Sequence, residues 1–553
     1  MYVYDSYDQQ IVDQRVAQFR EQTDRFLTGD LKPEEFLPLR LQNGLYVQRH
    51  APMLRIAVPY GLMSARQLRT IADVSRQFDK GYVHFTTRQN IQLNWPALED
   101  VPDILTELAA VQMHAIQTSG NCIRNTTTDQ FAGVMPDEVE DPRPWCEIIR
   151  QWSTLHPEFA YLPRKFKIAV NAATTTDRAA IRFHDIGLQL VKNADGVVGF
   201  QVFVGGGLGR TPLPGQEICT FLAKEDLLTY LEAILRVYNL NGRRDNKYKA
   251  RIKILVKALG IDAFKALVDE QWQANKGGAA TLTDTEIHRV EQFFTDPDYA
   301  SLSDQSDLLG QQRFAQDGFN KWLSHNVEAH KQPGYAAVTL ALKKTGYAPG
   351  DATAEQLDVV ANLADKYSFG ELRVSHQQNL ILADVKQADL LALWQQLDHL
   401  GFADPTVGTL NDVICCPGGD FCALANAKSI PIAEAIQLQF DDLDYLHDLG
   451  NIDLNISGCM NACGHHHIGH IGILGVDKKG EEFYQVSLGG DSGIDGRVGK
   501  ILGPSVKADH ITEVVQQVID VFLAQRQPQE PFIDVVHRIG LTPFKEAVYA
   551  PSH

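Results

Sequence analysis

Val83-His84-Phe85-Thr86-Thr87-Arg88-Gln89-Asn90-Ile91-Gln92-Leu93 recurs as Leu372-Arg373-Val374-Ser375-His376-Gln377-Gln378-Asn379-Leu380-Ile381-Leu382, aligned without a gap. Both stretches alternate as a strand does. Each follows an amphipathic helix-like run, Ser64 to Val74 in one copy and Thr353 to Leu363 in the other. Each run is preceded by a further strand pattern, Leu54 to Pro59 and Tyr335 to Leu340. Downstream, Val202-Phe203-Val204-Gly205-Gly206-Gly207-Leu208-Gly209 echoes Val486-Ser487-Leu488-Gly489-Gly490-Asp491-Ser492-Gly493, and each half closes on a helical tail. Four features in one order, twice, mark an internal duplication rather than a chance likeness of α/β patterns. The expected fold is α/β (α+β), with two pseudo-symmetric repeats and a cofactor cleft between them. The expected division is an N-terminal extension over 1–45, with helix near Gln9–Phe26, then 46–112 and 113–275 for the first repeat. A polar connection over 276–328 follows, with turn signals at Lys276-Gly277-Gly278 and Asp296-Pro297-Asp298. The second repeat takes 329–400 and 401–553.

A chain of 553 residues, 44% hydrophobic and 22% charged, implies several units with large cores. No apolar run reaches the roughly 18–20 residues of a membrane span. Met1-Tyr2-Val3-Tyr4-Asp5-Ser6 has neither the basic nor the apolar part of a signal peptide. The expectation is a reducing cytoplasm, where eight cysteines stay unpaired. The net charge of −18 argues against general nucleic-acid binding.

Five cysteines crowd the second repeat. Ile414-Cys415-Cys416-Pro417-Gly418-Gly419-Asp420-Phe421-Cys422 and Gly458-Cys459-Met460-Asn461-Ala462-Cys463-Gly464 supply C-x5-C and C-x3-C. Four thiolates are what a cubane iron–sulfur cluster needs, and the spacing fits the short knuckles of zinc sites poorly. The adjacent glycines let backbone amides point at sulfur. Cys459 and Cys463, four apart, are expected on one helical turn. Cys415 rivals Cys416 as the first ligand, and spacing alone leaves that open. Cys122, Cys146 and Cys219 read as buried thiols.

The first repeat carries cations instead. Arg88 stands where the second copy has Gln377. Arg124 lies in the loop Ser119-Gly120-Asn121-Cys122-Ile123-Arg124-Asn125. Lys165 and Lys167, two apart in Pro163-Arg164-Lys165-Phe166-Lys167, share one side of a strand, with Arg164 and Phe166 facing the other. Two halves folded face to face bring an anion site beside a redox site.

At these residues the chain resembles the assimilatory sulfite and nitrite reductases, from about Leu45 to Gly540. Thr87-Arg88-Gln89, Asn121 to Asn125, Pro163 to Lys167, Gly205 to Gly209 and the two cysteine pairs carry the likeness. The resemblance implies a ferredoxin-like half-domain plus a larger α/β cofactor-binding domain in each repeat, with sirohaem and a 4Fe–4S cluster as cofactors. It assigns the cluster to Cys416, Cys422, Cys459 and Cys463, with Cys463 bridging to the sirohaem iron. It assigns the substrate anion to Arg88, Arg124, Lys165 and Lys167. Arg164, Lys253, Gln92 and Asn121 correspond to macrocycle contacts. The implied reaction is six-electron reduction of sulfite to sulfide, because plant-type nitrite reductases place Asn where this chain has Lys167. Two departures stand out: Met460, where many relatives have Pro, and His465-His466-His467, expected to line the cluster side as a polar loop. No complete dinucleotide fingerprint is present, since Arg210 replaces the third glycine after Gly205 and Gly207. Electrons are therefore expected from a separate ferredoxin or flavoprotein reductase. Arg243, Arg244, Lys247, Lys249, Arg251 and Lys253 are a candidate docking run or a sirohaem-carboxylate site. The competing readings are a nitrite reductase, a precorrin-3B synthase-like cluster enzyme, and a cluster-bearing electron carrier. The carrier reading leaves the four cations without a role.

Overall fold

In the computed structural model, described over residues 1–313 and 316–549, the first half lays down ten strands. They are β1 (Leu45–Val47), β2 (Pro52–Ile56), β3 (Leu62–Ser64), β4 (Tyr82–Phe85), β5 (Ile91–Leu93), β6 (Thr127–Thr128), β7 (Ile168–Asn171), β8 (Ile186–Lys192), β9 (Val198–Val204) and β10 (Gln216–Ala223). The second half adds β11 (Val327–Ala329), β12 (Tyr335–Leu340), β13 (Asp351–Thr353), β14 (Glu371–Val374), β15 (Leu380–Lys386), β16 (Ile414–Cys415), β17 (Leu454–Ser457), β18 (Ile471–Lys478), β19 (Glu481–Leu488), β20 (Lys500–Ile501) and β21 (Val506–Lys507).

Two five-stranded sheets, β1-β2-β5-β4-β13 and β11-β12-β15-β14-β3, exchange an edge strand between halves. β13 pairs antiparallel with β4, and β3 with β14. Each exchanged strand runs straight into a capped helix. Ser64 and Thr353 close capping boxes with Gln67 and Gln356 at the starts of helices Ala65–Phe78 and Ala354–Tyr367. These helices pack together, with Leu68, Ile71, Leu357 and Val360 in one shared core. Arg69 pairs with Asp365, and Arg76 with Asp358, across their outer face.

The other two sheets repeat one design. β6-β7-β8 and β16-β17-β18 run parallel, and β9 and β19 return antiparallel. The glycine-rich echo is kept in three dimensions. Gly205 and Gly489 both have positive φ, and the isolated bridges Gly207↔Leu213 and Asp491↔Arg497 follow them. Residues 1–45 carry helices Ser6–Leu27 and Pro33–Gln42. The stretch 276–328 carries helices Asp284–Glu291, Asp307–Gln312 and Asp317–Asn326.

The repeated stretch is not one strand, as its alternation suggests, but a hairpin. β4 and β5 are joined by a turn over Thr86–Asn90, and β14 and β15 by its counterpart over Ser375–Asn379. Thr86 N–H donates to Asn90 O at 2.9 Å, as Ser375 N–H does to Asn379 O at 2.9 Å. Gln89 and Gln378 take left-handed φ values of 55° and 63°. Their buried amides stabilise that turn. Gln89 Nε2 donates to Thr128 O (3.0 Å) and across the molecule to Val374 O (3.1 Å). Gln378 Nε2 donates to Cys415 O (3.0 Å) and to Phe85 O (3.0 Å). Arg88 therefore sits on a turn, where its backbone is free of the sheet.

Candidate functional site

Cys415 and Cys416 point into different environments. Cys415 ends β16 with its N–H and C=O both bonded to Gln378. Its thiol lies in the core with Ile456 and Ile473, and burial pushes its pKa well up. Cys416 turns the other way. Gly458 N–H donates to its sulfur at 3.2 Å, and Ser429 Oγ lies at 3.5 Å. The amides of Leu424 and Ala425 face the Cys422 sulfur, and that of Asn461 faces Cys459. Cys416, Cys422 and Cys459 each feel the charge of Cys463, so the four sulfurs share one locality. Burial raises the first three thiols, and the charge of Cys463 adds to this. Four thiolates here are costly until a cationic centre offsets them, and the waiting amides are the donors that cluster sulfurs accept. Among the described residues no three His, Cys, Asp or Glu side chains converge as a single metal ion requires.

Cys459 and Cys463 do not share a helical turn. Two successive tight turns separate them, with Ala462 N–H donating to Cys459 O and His465 N–H to Ala462 O, both at 3.1 Å. Ala462 has φ 54°, which a right-handed helix cannot pass through. Gly458 is required by crowding, because a Cβ there would stand 2.6 Å from Ala427 O.

The cations come from the first half. Lys165 to Lys167 prolong β7 upstream. Arg124 N–H donates to Phe166 O (2.7 Å) on one side, and Ile186 N–H to Lys167 O (3.2 Å) on the other. Phe166 is fully buried, so both lysines lie on the opposite side. Burial lowers Lys165 to about 7, with Arg124, Arg251 and Arg164 lowering it and Cys463 opposing. Burial, then Arg88, Lys165 and Arg251, take Lys167 well below its usual value. Burial brings Arg88 to about 9, aided by Arg124.

Arg88 is held by Thr127 Oγ1 (3.1 Å), by Asn125 O (2.7 Å) and by His184 Nε2. His184 Nδ1 faces Ala180 O at 2.8 Å, so that nitrogen carries the proton and Nε2 offers its lone pair to Arg88. Arg124 is fixed by Thr118 O and Gly120 O, each at 2.8 Å. Thr87 Oγ1 donates to Cys463 O at 2.8 Å, which ties the Arg88 turn to the cysteine loop.

The remaining expected residues divide. Gln92 Oε1 accepts from Arg55 Nη2 at 2.7 Å, so it orients a cation. Arg164 is half-buried near Arg124 and Arg251. Asn121 is exposed, and its carbonyl accepts from Leu162 N–H at 2.8 Å. Lys253 bonds Gly207 O (3.3 Å), Leu208 O (2.5 Å) and Thr211 O (2.6 Å), which uses its three donors to shape the glycine-rich loop. Burial, then Arg251, lower it to about 7. One cation, Arg55, escaped the sequence reading, and Arg251 was read only as part of a basic run. Arg55 lies close enough to affect both Arg88 and Cys422. Arg251, gripped by both oxygens of buried Asp185 (2.8 Å), faces the lysines. The signal for Arg251 lay in its basic run. Arg55 is placed by its register opposite Gln92, which no local pattern shows.

The family model described as the nitrite and sulphite reductase 4Fe-4S domain matches residues 119–276 and 407–553. That of the nitrite/sulfite reductase ferredoxin-like half domain matches 46–111 and 328–400. The chain belongs to the nitrite and sulfite reductase family. It is 28% identical over 489 residues to the chloroplastic ferredoxin–nitrite reductase of Arabidopsis thaliana, covering 86% of this chain and 76% of that one. It is 26% identical over 492 residues to sulfite reductase (ferredoxin) 1 of Mycolicibacterium paratuberculosis, covering 87% and 81%. The solved structure of Mycobacterium tuberculosis NirA protein matches with a TM-score of 0.77 and 25% identity, over 93% of this chain and 92% of that one. As a member, this reductase is an oxidoreductase whose cofactors are a 4Fe–4S cluster and sirohaem.

The residues fit those cofactors. His467 Nε2 faces Gly209 O at 2.9 Å, which clamps the cysteine loop of one half to the glycine-rich loop of the other. His465 faces Lys167, His376 and Arg88. His466 is 2% exposed with neither ring nitrogen partnered among the described residues. The fit rests instead on the donor set, four thiols with backbone amides aimed at the sulfurs of Cys416, Cys422 and Cys459.

Proposed function

We propose that this reductase catalyses assimilatory reduction of sulfite to sulfide. The observation that carries the reading is Lys165 and Lys167 on one side of a strand, gathered with Arg88 and Arg124 beside Cys463. Sulfite reaches two negative charges near neutral pH and nitrite carries one, so two lysines that an arriving anion keeps protonated, in addition to two guanidinium groups, suit sulfite better. When bound, the cluster and sirohaem would supply electrons singly to the anion, while the protein orients and tunes them. Cys416, Cys422, Cys459 and Cys463 would hold the cluster, with Cys463 shared with the sirohaem iron. Arg164, Gln92 through Arg55, Lys253 through its loop, and Asn121 at the rim would border the macrocycle.

The chain's own groups have distinct tasks. Arg88 and Arg124, pinned by carbonyls, present fixed positive charge to an oxyanion and stabilise negative charge as it grows. Lys165, lowered to about 7, is matched to giving up a proton near neutral pH. The relatives named with ferredoxin support a ferredoxin donor. The basic run splits to suit this: Arg243, Arg244, Lys247 and Lys249 are exposed, while Arg251 and Lys253 turn inward. No helix among the described residues is long and apolar enough to cross a membrane, and a cytoplasmic site is part of the proposal.

The relatives' names at similar identity favour a second reading, reduction of nitrite to ammonia. Side-by-side turnover of both anions with an artificial one-electron donor separates the two. A higher kcat/KM for sulfite is expected; a higher value for nitrite overturns the first reading.

A further inference from the structure

His376 is contributed by the second repeat to a site whose cations come from the first. It occupies the turn position that Thr87 holds in the other copy, and it is buried. Its ring is wedged between two carbonyls of the first half. Nε2 lies 3.0 Å from Thr128 O, and Nδ1 lies 3.3 Å from Thr87 O. Both partners can only accept. A neutral imidazole has one N–H, so one of its nitrogens then sets a lone pair against a carbonyl oxygen; the imidazolium satisfies both. Burial and the basic groups facing the ring oppose that second proton. Arg88 and Lys167 lower its affinity for a proton, and His184 and His465 face it from the adjoining loops. Burial, with Arg88 next, holds the ring down at about 4.

An oxyanion among Arg88 and Lys167 cancels the charge that opposes protonation and leaves the two carbonyls in place. We propose that His376 is a positioning residue of the anion site that takes up a proton when the anion binds, so that in the anion-bound enzyme its ring donates to the Thr87 turn and to β6 at once. Because Thr87 is bonded to the carbonyl of Cys463, the protonated clamp holds the Arg88 turn against the cysteine loop during turnover. Anion affinity should then rise as pH falls, by at most about tenfold per pH unit for one coupled proton.

The inference rests on the anion site proposed above. Its test is calorimetric titration of the cofactor-loaded enzyme with nitrite, which stays a monoanion through the neutral range, in two buffers of different ionisation enthalpy at pH 6 to 7.5. The wild type is expected to take up a sizeable fraction of a proton per anion. His376→Gln, or His376→Asn if the first variant loses its cofactors, is expected to take up less and to lose part of the pH slope of affinity. kcat at saturating anion should change less than KM. Binding without proton uptake in the wild type overturns the proposal, as does equal uptake in wild type and variant. Absence of any anion binding overturns instead the anion site itself, so the two failures are distinct. A purely structural role would lower stability without altering the protons taken up.

Discussion

Two adjacent cysteines show how much one residue of register decides. Spacing leaves Cys415 and Cys416 open as rivals, because either gives a plausible loop to Cys422. The structure separates them by strand alternation: Cys415 is the last residue of β16 and faces the core, and Cys416 leaves the sheet toward Gly458. Cys415→Ala should keep the cluster's absorption and cost roughly 1 kcal/mol of stability as a small core truncation. Cys416→Ala should lose cluster iron; iron analysis showing the opposite order reverses the assignment. Lys167 makes a similar point at the proposed anion site. The sequence placed it beside Lys165 by period, and Phe166 in the core agrees with that face. What the sequence does not contain is the crowd around it, since Arg88 and Arg251 arrive from distant segments. Under the sulfite reading proposed above, Lys167→Asn removes one basic group of the set that would meet a dianion. The sulfite-to-nitrite ratio of kcat/KM should fall about tenfold, the effect of roughly 1.4 kcal/mol of differential stabilisation. An unchanged ratio removes the charge argument for sulfite.

The hairpin tip is the element on which the site depends. Its duplication was plain in the sequence, but its shape was not. Alternation predicts extended chain, and nothing local announces that Gln89 and Gln378 adopt φ above zero. That conformation is held by carbonyls and amides of β6, β14, β16 and β4, segments far off in sequence. The same tip does different work in each half. Gln89 steadies the strand beside Arg88, and Gln378 steadies Cys415, one residue before Cys416. Truncating either to Ala leaves buried backbone groups without partners, at about 1–3 kcal/mol for each such group. Gln89→Ala and Gln378→Ala should therefore lower the thermal midpoint to a similar extent. Only Gln378→Ala should also raise the fraction of enzyme purified without its cluster. Equal iron content in the two variants would show that β16 needs no anchor to place Cys416.

At the scale of the whole molecule, the duplication is interlocked rather than merely side by side. β13 completes the first half's sheet and β3 completes the second's. Each hairpin tip donates to a carbonyl of the opposite half, and helices Ala65–Phe78 and Ala354–Tyr367 share one core. The proposed site divides along the same line, with the cations on one repeat and the thiols on the other. Neither repeat alone contains a complete site, and this arrangement explains why neither should form a complete fold. A fragment of residues 1–330 loses β13, which leaves the edge of β4 unpaired, and loses the helix that covers Leu68 and Ile71. An unpaired, apolar sheet edge favours aggregation. The fragment expressed alone should be insoluble or lack a cooperative unfolding transition, whereas coexpression with residues 331–553 should restore both. A fragment that unfolds cooperatively as a monomer would show that the exchange of strands is decoration on two independent domains. In that case the positions of Cys463 and Thr87 would be set by the hairpin tips and loop contacts alone, without help from the exchanged strands.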